Sequence, residues 1–207
     1  MRSSVFPIGL KLEGRLCLVV GTGQGAERRT DALLAAGARV RVVSEKPTEA
    51  FERLAQDGAV ALLRRAFDEA DLDGVWLAVY TDMDVAVATR IAAAAEARRV
   101  LFCAVDQPAQ SSWSHLAIAT AGPVTVAVST SGRAPSLARK LRDELARVFD
   151  ESRLGEFAEA IARLRERTPP EDRRAVLGNA VSHFHFHGAL SIPDGPAQSG
   201  PRGREKP

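Results

Sequence analysis

Residues 16–26 read LCLVVGTGQGA, a short apolar run that leads into a glycine-rich turn. The apolar run is typical of a strand covered on both faces of a parallel sheet. A helix is predicted from about residue 26 to residue 36, where Gly37 would end it. The β-branched run at residues 40–43 completes a compact βαβ unit, so the beginning of the chain is predicted to be α/β.

The same alternation continues to Asp106 and then stops. Two strands without a crossover helix are predicted around Gly122-Pro123, and helices follow them. The predicted helices cover about 48–57, 83–98, 135–149 and 153–167, with a short one after Pro170, and the predicted strands cover about 60–63, 75–79, 100–105, 116–120 and 124–129. The sequence therefore predicts a doubly wound sheet followed by a different, largely helical part.

Composition excludes several classes of protein. The 207 residues are 45% apolar and 26% charged, and 28 basic against 26 acidic side chains give a net charge of only +2, which disfavours a nucleic-acid partner. No stretch approaches the roughly 18 apolar residues of a membrane span, and residues 1–7 lack an apolar leader segment. Cys17 and Cys103 lie in apolar runs and are predicted to be buried thiols, which fits the cytoplasm.

The glycine turn matches G-x-G-x-x-A between a strand and a helix. Glycines at these positions allow a tight turn and let backbone amides approach a pyrophosphate at the helix N-terminus. A purely structural glycine turn is the alternative. The residues predicted to bind the cofactor are Gly21, Gly23, Gln24, Gly25, Ser44, Glu45, Lys46 and Thr81.

The residues after the second strand and those before the helix at 83–98 each allow a second interpretation. An acidic residue after the second strand commonly holds the ribose 2′-hydroxyl of NAD, and Glu45 stands one position late for that role beside Lys46. NAD is predicted, with a solvated loop pair as the alternative. Thr81-Asp82 is predicted to cap the following helix, and contact with a dinucleotide is the alternative.

Three stretches together carry a family resemblance. The first is FPI at residues 6–8 with LEGR at 12–15, LVVG at 18–21 and AERR at 26–29; the second is VDQP at 105–108; the third is STSGRAPSLAR at 129–139. Over roughly residues 6–149 the chain resembles the NAD-dependent N-terminal module of sirohaem synthase. That module is also found as stand-alone precorrin-2 dehydrogenase and is sometimes bifunctional with sirohydrochlorin ferrochelatase.

The resemblance implies oxidation of precorrin-2 to sirohydrochlorin with NAD, with Fe²⁺ as an additional substrate where chelatase activity is present. It also implies a homodimer with an interleaved central region. The expected fold class is α/β, a Rossmann-type parallel sheet followed by a small α+β dimerisation region and a C-terminal helical segment. The expected domains are residues 1–106 for NAD, 107–150 for dimerisation and substrate, 151–190 for the helical segment and 191–207 for a disordered tail.

Several positions depart from the family's pattern. The family's turn usually reads G-G-G-x-V-A, so Thr22 and Gly25 are changed while backbone access is kept. The other departures concern positions around the expected substrate pocket, namely Cys103 for Asn, Trp113 for Phe, Leu116 for Pro and Ala134 for Ser.

Asp106 is the predicted catalytic residue. It follows an apolar strand at the sheet edge where open α/β sheets bind ligands, and the family's corresponding Asp is regarded as catalytic. The alternative is a turn-forming Asp before Gln107-Pro108.

An anionic tetrapyrrole requires hydroxyls, amides and a cation, so the predicted substrate-binding residues are Ser129, Thr130, Ser131, Gly132 and Arg133. His115 is not assigned to catalysis. The alternation of His183, His185 and His187 with two Phe residues is a weak metal-binding pattern, and packing of the Phe residues is favoured.

Two other functions remain open at this stage. One is a ferrochelatase in which Asp106 assists deprotonation of the pyrrole nitrogens; the other is a non-catalytic protein that senses NAD and a tetrapyrrole.

Overall fold

The structure is a computed structural model that describes residues 5–188 and residue 190. The tail at 191–207, for which disorder is predicted, lies outside the described residues. Five strands form a parallel sheet in the order β3-β2-β1-β4-β5, which confirms the predicted Rossmann-type sheet. The strands are β1 Leu16–Val20, β2 Arg39–Val43, β3 Val60–Leu63, β4 Leu77–Tyr80 and β5 Leu101–Ala104.

The order of the strands reverses beside β1. The chain passes from β1 to β2 and β3 on one side, then crosses to β4 and β5 on the other. Val20 at the end of β1 pairs with Val43 of β2 and with Tyr80 of β4. The carboxyl ends of the three central strands therefore lie level, and the segments that follow them meet at one edge of the sheet.

Helices cover both faces of this sheet because alternate residues of each strand point to opposite sides. The three helices are α1 Gly23–Ala35, α2 Glu49–Gln56 and α3 Val85–Ala97. Leu18 and Val20 belong to a core cluster that includes Ile91 of α3, whereas Cys17 and Val19 belong to a second cluster with Phe51 of α2. Ala26, Thr30 and Leu33 of α1 are buried at helical spacing.

The starts of two helices correct the sequence-based expectation. The first helix begins at Gly23, three residues before the predicted start, because the glycine turn itself enters the helix. Asp84, and not Thr81-Asp82, caps α3, since its carboxylate accepts hydrogen bonds from the N–H groups of Ala86 and Val87 at 2.8 and 3.1 Å. Thr48 caps α2 through a hydrogen bond from Phe51 N–H.

Two serine hydroxyls form hydrogen bonds with the backbone at the outer edge of β5. Ser112 Oγ accepts a hydrogen bond from Phe102 N–H at 3.0 Å, and Ser111 Oγ accepts one from Ala104 N–H at 3.0 Å. The same hydroxyls donate back to the carbonyl oxygens of Phe102 and Ala104, at 3.2 and 3.1 Å. The residues that follow Asp106 are thereby fixed to the last strand of the sheet.

Two strands and three helices follow the parallel sheet. Gly122 and Pro123 connect the strands into a two-stranded hairpin, as predicted. These elements are β6 Ala117–Ala121, β7 Val124–Val128, α4 Pro135–Glu151, α5 Leu154–Arg167 and α6 Arg173–Ala180. None of the helices in the described part of the chain is long and apolar enough to cross a membrane.

The chain divides into two compact units. The first contains the parallel sheet, its helices and residues 126–145. Among the described residues, the second contains 120–125, 146–188 and 190. In the second unit Gly122 and Gly155 pack backbone to backbone, since a Cβ on Gly122 would lie 3.1 Å from the Gly155 carbonyl oxygen. The four-part domain division remains a prediction.

A buried carboxylate stabilises the segment between β3 and β4. Asp71 is 3% exposed and accepts hydrogen bonds from the Arg65 guanidinium at 2.6 and 2.8 Å and from Asp68 N–H at 2.9 Å. Burial alone would raise the pKa of Asp71, but these hydrogen bonds and the positive charges of Arg65 and Arg41 together lower it. The folded protein therefore favours the ionised form of this carboxylate.

We expect Asp71→Asn to lower the free energy of unfolding by about 2 kcal/mol at neutral pH, because it removes charge-assisted hydrogen bonds from a buried site. The folded-state pKa of Asp71 lies below the unfolded value. Its contribution is therefore present at neutral pH and is lost as the pH falls through the folded pKa. Urea unfolding at neutral and acidic pH measures both effects. Glu52→Gln, which breaks an exposed pair with Arg64, is the control and should change stability little; an equal loss in the two variants would contradict this account.

Candidate cofactor and catalytic site

Gly21 occupies the point where the sheet order reverses. Its φ is +134°, and its N–H donates to the carbonyl oxygen of Val43 at 3.0 Å. A Cβ at this position would overlap Thr81 Oγ1 and would lie 2.9 Å from Asp82 Oδ1. Glycine is therefore required by the backbone conformation and by the close approach of the β4 loop.

The N-terminus of α1 fits an anionic ligand. Thr22 is the N-cap residue, but no side chain caps this end of the helix in the described structure, and its first turn contains no acidic residue. Gly23 has φ +72° and open space where a Cβ would stand. Uncapped amides at the positive end of a helix, reached over a glycine, suit the pyrophosphate of a dinucleotide.

Thr22 connects three loops at this edge. Its N–H donates to Asp82 Oδ1 at 3.1 Å, and its hydroxyl donates to the carbonyl oxygen of Lys46 at 2.9 Å. The glycine turn, the loop after β2 and the loop after β4 are thus held together. Sequence reasoning missed this role because Thr22 stands at a variable position of the motif, and it assigned Asp82 to a helix cap.

The other predicted cofactor residues differ in their exposure. Ser44 is 3% exposed, and its Oγ has no hydrogen-bond partner among the described atoms. Glu45 and Lys46 are exposed, as are Gln24 and Gly25. Of the residues after β2, Glu45 and Lys46 rather than Ser44 therefore present their side chains to solvent.

Asp106 follows the carboxyl end of β5 in a left-handed conformation. Its φ is +58°, and the residue is exposed. The carboxylate is thus exposed at this edge of the sheet, and its catalytic role stays a prediction. A left-handed backbone is tolerated by Asp and Asn better than by most residues.

Gln107 holds the backbone next to Asp106 in place. It is 7% exposed, and its Nε2 donates to the carbonyl oxygen of Asp82 at 3.0 Å. Its own carbonyl oxygen lies 3.0 Å from Ser111 Oγ and shares the single proton of that hydroxyl with the carbonyl oxygen of Ala104. A path of hydrogen bonds therefore runs from Gln107 through Asp82 to Thr22, and sequence reasoning missed it because a Gln between Asp106 and Pro108 carries no recognisable signal.

The predicted substrate loop makes local hydrogen bonds. Ser129 Oγ accepts from Ser131 N–H at 3.1 Å, and Thr130 Oγ1 accepts from Ala134 N–H at 3.2 Å. Ser131 and Gly132 have φ of +50° and +72°. The two hydroxyls thus shape the loop, and each retains its own proton to donate, while the side chain of Arg133 is exposed.

Trp113 and His115 form an aromatic pair after β5. Their ring centres are 4.4 Å apart in an edge-to-face arrangement, and Trp113 packs on the core cluster that contains Val19 and Phe51. Desolvation, followed by the positive charge of Arg29, lowers the pKa of His115 to about 4, although the residue as a whole is exposed. His115 is therefore neutral at pH 7.

Both cysteines are buried free thiols, as predicted. Burial raises the pKa of Cys17 to about 11 and also raises that of Cys103. Neither is activated as a thiolate at neutral pH. Across the described residues, no three His, Cys, Asp or Glu side chains are grouped as metal ligands would be.

Comparison with known families agrees with this geometry. Residues 8–115 match the family model described as "Putative NAD(P)-binding", which is more than half of the chain. The chain belongs to this family. Residues 121–147 match a second family model, described as "Sirohaem biosynthesis protein central". The family's matched region begins before β1 and ends at His115, so it contains the whole parallel sheet and Asp106.

Two curated relatives are similar to most of this chain. The chain is 40% identical to the siroheme synthase of Citrobacter koseri over 193 residues, which are 93% of this chain and 41% of that protein. It is also 40% identical to the siroheme synthase of Salmonella arizonae over 78% of this chain and 35% of that protein. The chain thus spans well under half the length of these curated relatives.

One solved structure has the same fold. The precorrin-2 dehydrogenase SirC superposes with a TM-score of 0.73 at 22% sequence identity, covering 86% of this chain and 89% of SirC. The likeness establishes the fold of the chain, including the elements after the parallel sheet.

We expect Gly23→Ala to lower the affinity for NAD(P)H by about tenfold or more, because its methyl group would project into the open space at the helix N-terminus. The left-handed backbone adds a strain of about 1 kcal/mol, so the variant should still fold. Fluorescence titration with NADH and NADPH measures the affinity.

The matched control is Gly58→Ala, which has the same φ of +72° and open space but lies after α2, outside the predicted cofactor residues. It should carry the same backbone strain and keep the affinity of the unaltered chain. Equal binding by Gly23→Ala and Gly58→Ala would argue for a purely structural glycine turn.

Proposed function

We propose that the chain is an NAD-dependent dehydrogenase that oxidises precorrin-2 to sirohydrochlorin. The observation that carries the proposal is the connection between the exposed Asp106 and the glycine turn. Asp106 adjoins Gln107, which binds the carbonyl of Asp82, and Asp82 in turn accepts the N–H of Thr22. A carboxylate and a dinucleotide-binding turn are thereby held at one edge of the sheet.

The relatives support the choice of reaction. The similar full-length proteins are siroheme synthases, and the matching solved structure is a precorrin-2 dehydrogenase. The family to which the chain belongs binds NAD(P). These similarities favour a tetrapyrrole over the many other substrates that this fold accommodates.

The residues have distinct roles in this proposal. NAD, when bound, accepts a hydride from the substrate. The chain's glycine turn holds the pyrophosphate through backbone amides, and Asp106 accepts the proton that the macrocycle loses with the hydride. Gln107 is a positioning residue, because it fixes the backbone beside Asp106 without facing solvent itself.

The loop at 129–133 is proposed to bind the carboxylates of the tetrapyrrole. Ser131 and Gly132 adopt successive left-handed conformations just before α4, and the Arg133 side chain is exposed. Hydroxyl protons, backbone amides and a guanidinium are suitable partners for an anionic substrate.

NAD rather than NADP is the proposed cofactor. Glu45 is exposed directly after the buried Ser44. Its carboxylate could accept hydrogen bonds from the ribose hydroxyls and would repel a 2′-phosphate. The proposal also includes Lys46, whose carbonyl oxygen is bound by Thr22, as a contact of this part of the cofactor.

We expect Glu45→Gln to narrow the preference for NADH over NADPH, because the substitution removes the charge that repels the phosphate. Parallel titrations with both nucleotides measure the ratio of the two affinities. Glu49→Gln, which alters an exposed carboxylate on α2, is the control. An unchanged ratio in Glu45→Gln would assign Glu45 to a solvated loop.

A homodimer and a cytoplasmic location complete the proposal. The hairpin alternates half-buried and exposed residues, and Ile118 on its open face is 51% exposed. That face could pack on a second copy of the chain. Buried free thiols suit a reducing compartment.

The first experiment follows NADH and sirohydrochlorin together by anaerobic absorbance after precorrin-2 and NAD⁺ are mixed with the protein. A parallel rise of both products is the expected result. A second run with Fe²⁺ tests chelatase activity, which would remove the sirohydrochlorin spectrum faster than the uncatalysed reaction does. Binding of both ligands without turnover would instead favour a sensor.

We expect Asp106→Asn to lower kcat by a factor of about 10² to 10⁴, as the loss of a general base does, while the affinity for NAD stays nearly constant. Asn tolerates the left-handed backbone at φ +58°, so the loop geometry should be kept. Steady-state kinetics and NADH titration on the same preparation separate the two quantities. Unchanged kcat would remove Asp106 from the mechanism.

A further inference from the structure

A pair of histidines lies on the extended stretch after α6, within the second compact unit. His185 and His187 are both exposed, and their ring centres are 5.9 Å apart with an angle of 49° between the rings. They are two residues apart, a spacing that directs side chains of an extended segment to the same side. The pair takes no part in the proposed dehydrogenase site.

Aromatic packing holds the residue that directly precedes the pair. The ring of Phe184 stacks on Phe157 of α5 with centres 5.9 Å apart and an angle of 11°, and Phe184 N–H donates to the carbonyl of Val181 at 3.0 Å. The ring of Phe186, between the two histidines, lies close to Gly188, where a Cβ would meet it at 3.2 Å. The stretch is therefore attached to α5 through Phe184, next to His185.

The separation of the rings suits a shared metal ion. With metal–nitrogen bonds of about 2.0–2.1 Å, two imidazoles on one ion have ring centres about 5–6 Å apart. The observed 5.9 Å lies at the upper end of this range, so small side-chain rotations would bring both nitrogens to one ion.

We propose that His185 and His187 form a binding site for a divalent first-row transition metal ion. Imidazole suits Cu²⁺, Ni²⁺ and Zn²⁺, with the highest affinity for Cu²⁺. Since no third His, Cys, Asp or Glu ligand joins the pair in the described structure, water completes the coordination shell. Such a site holds an ion that exchanges readily, unlike a closed structural site.

The test titrates the untagged full-length chain with Ni²⁺, and separately with Zn²⁺, by isothermal titration calorimetry. The titration is carried out in a non-coordinating buffer at neutral pH, so that the buffer does not compete for the ion. We expect one ion per chain. His185→Ala and His187→Ala should each weaken binding by about tenfold or more, because the second imidazole then no longer binds intramolecularly.

Two control variants and one further test variant make the result specific. His183→Ala and His115→Ala alter the other two histidines and should leave the affinity unchanged. Phe157→Ala removes the ring on which Phe184 stacks and should weaken binding while leaving both ligands present. Circular dichroism verifies that each variant is folded.

Two results would overturn the proposal. An affinity for the ion that is unchanged in both His185→Ala and His187→Ala would assign the ion to another position. An unchanged affinity in Phe157→Ala would mean that any flexible His-x-His sequence binds equally well, and that the stretch is not a built site. Neither result bears on the dehydrogenase proposal, because NAD binding and precorrin-2 oxidation are measured separately.

Discussion

The fold depends on the close approach of two loops at Gly21, where the sheet changes direction. β1 lies between β2 and β4, so the chain leaving β1 must turn in the narrow space between the segments that follow its neighbours. The N–H of Gly21 binds the end of β2, and the space that a side chain would fill is occupied by Thr81. One missing Cβ thus permits the level strand ends, the uncapped start of α1 and the bond between Thr22 and Asp82.

The sequence predicted the sheet because the responsible signals are local. Continuous apolar runs bounded by Gly14 and Gly21, the stop at Gly37 and the spacing of the motif each concern a few consecutive residues. Their positions agree with β1, β2 and α1 to within a few residues. The exact start of α1 was misjudged because glycines are poor helix formers in isolation, whereas here the turn geometry brings Gly23 into the first helical turn.

The candidate site was less accessible to sequence reasoning because its contacts join distant residues. Asp82 was assigned to a helix cap on the basis of its neighbours, yet its carboxylate binds Thr22, sixty residues away, and Asp84 caps the helix. Gln107 is buried against the carbonyl of Asp82, which no feature of its local sequence reveals. The position of Asp106 at the sheet edge was predictable, but its left-handed backbone was not.

The hydroxyls of Ser111 and Ser112 bind the backbone along the outer edge of β5, the last strand of the sheet. They occupy the N–H and C=O groups of β5 that a sixth strand would otherwise pair with. A free strand edge is a template for unwanted pairing between molecules. Here the edge is covered by the same short segment that follows Asp106, so one stretch of chain both occupies the free edge of the sheet and is itself held close to the end of β5.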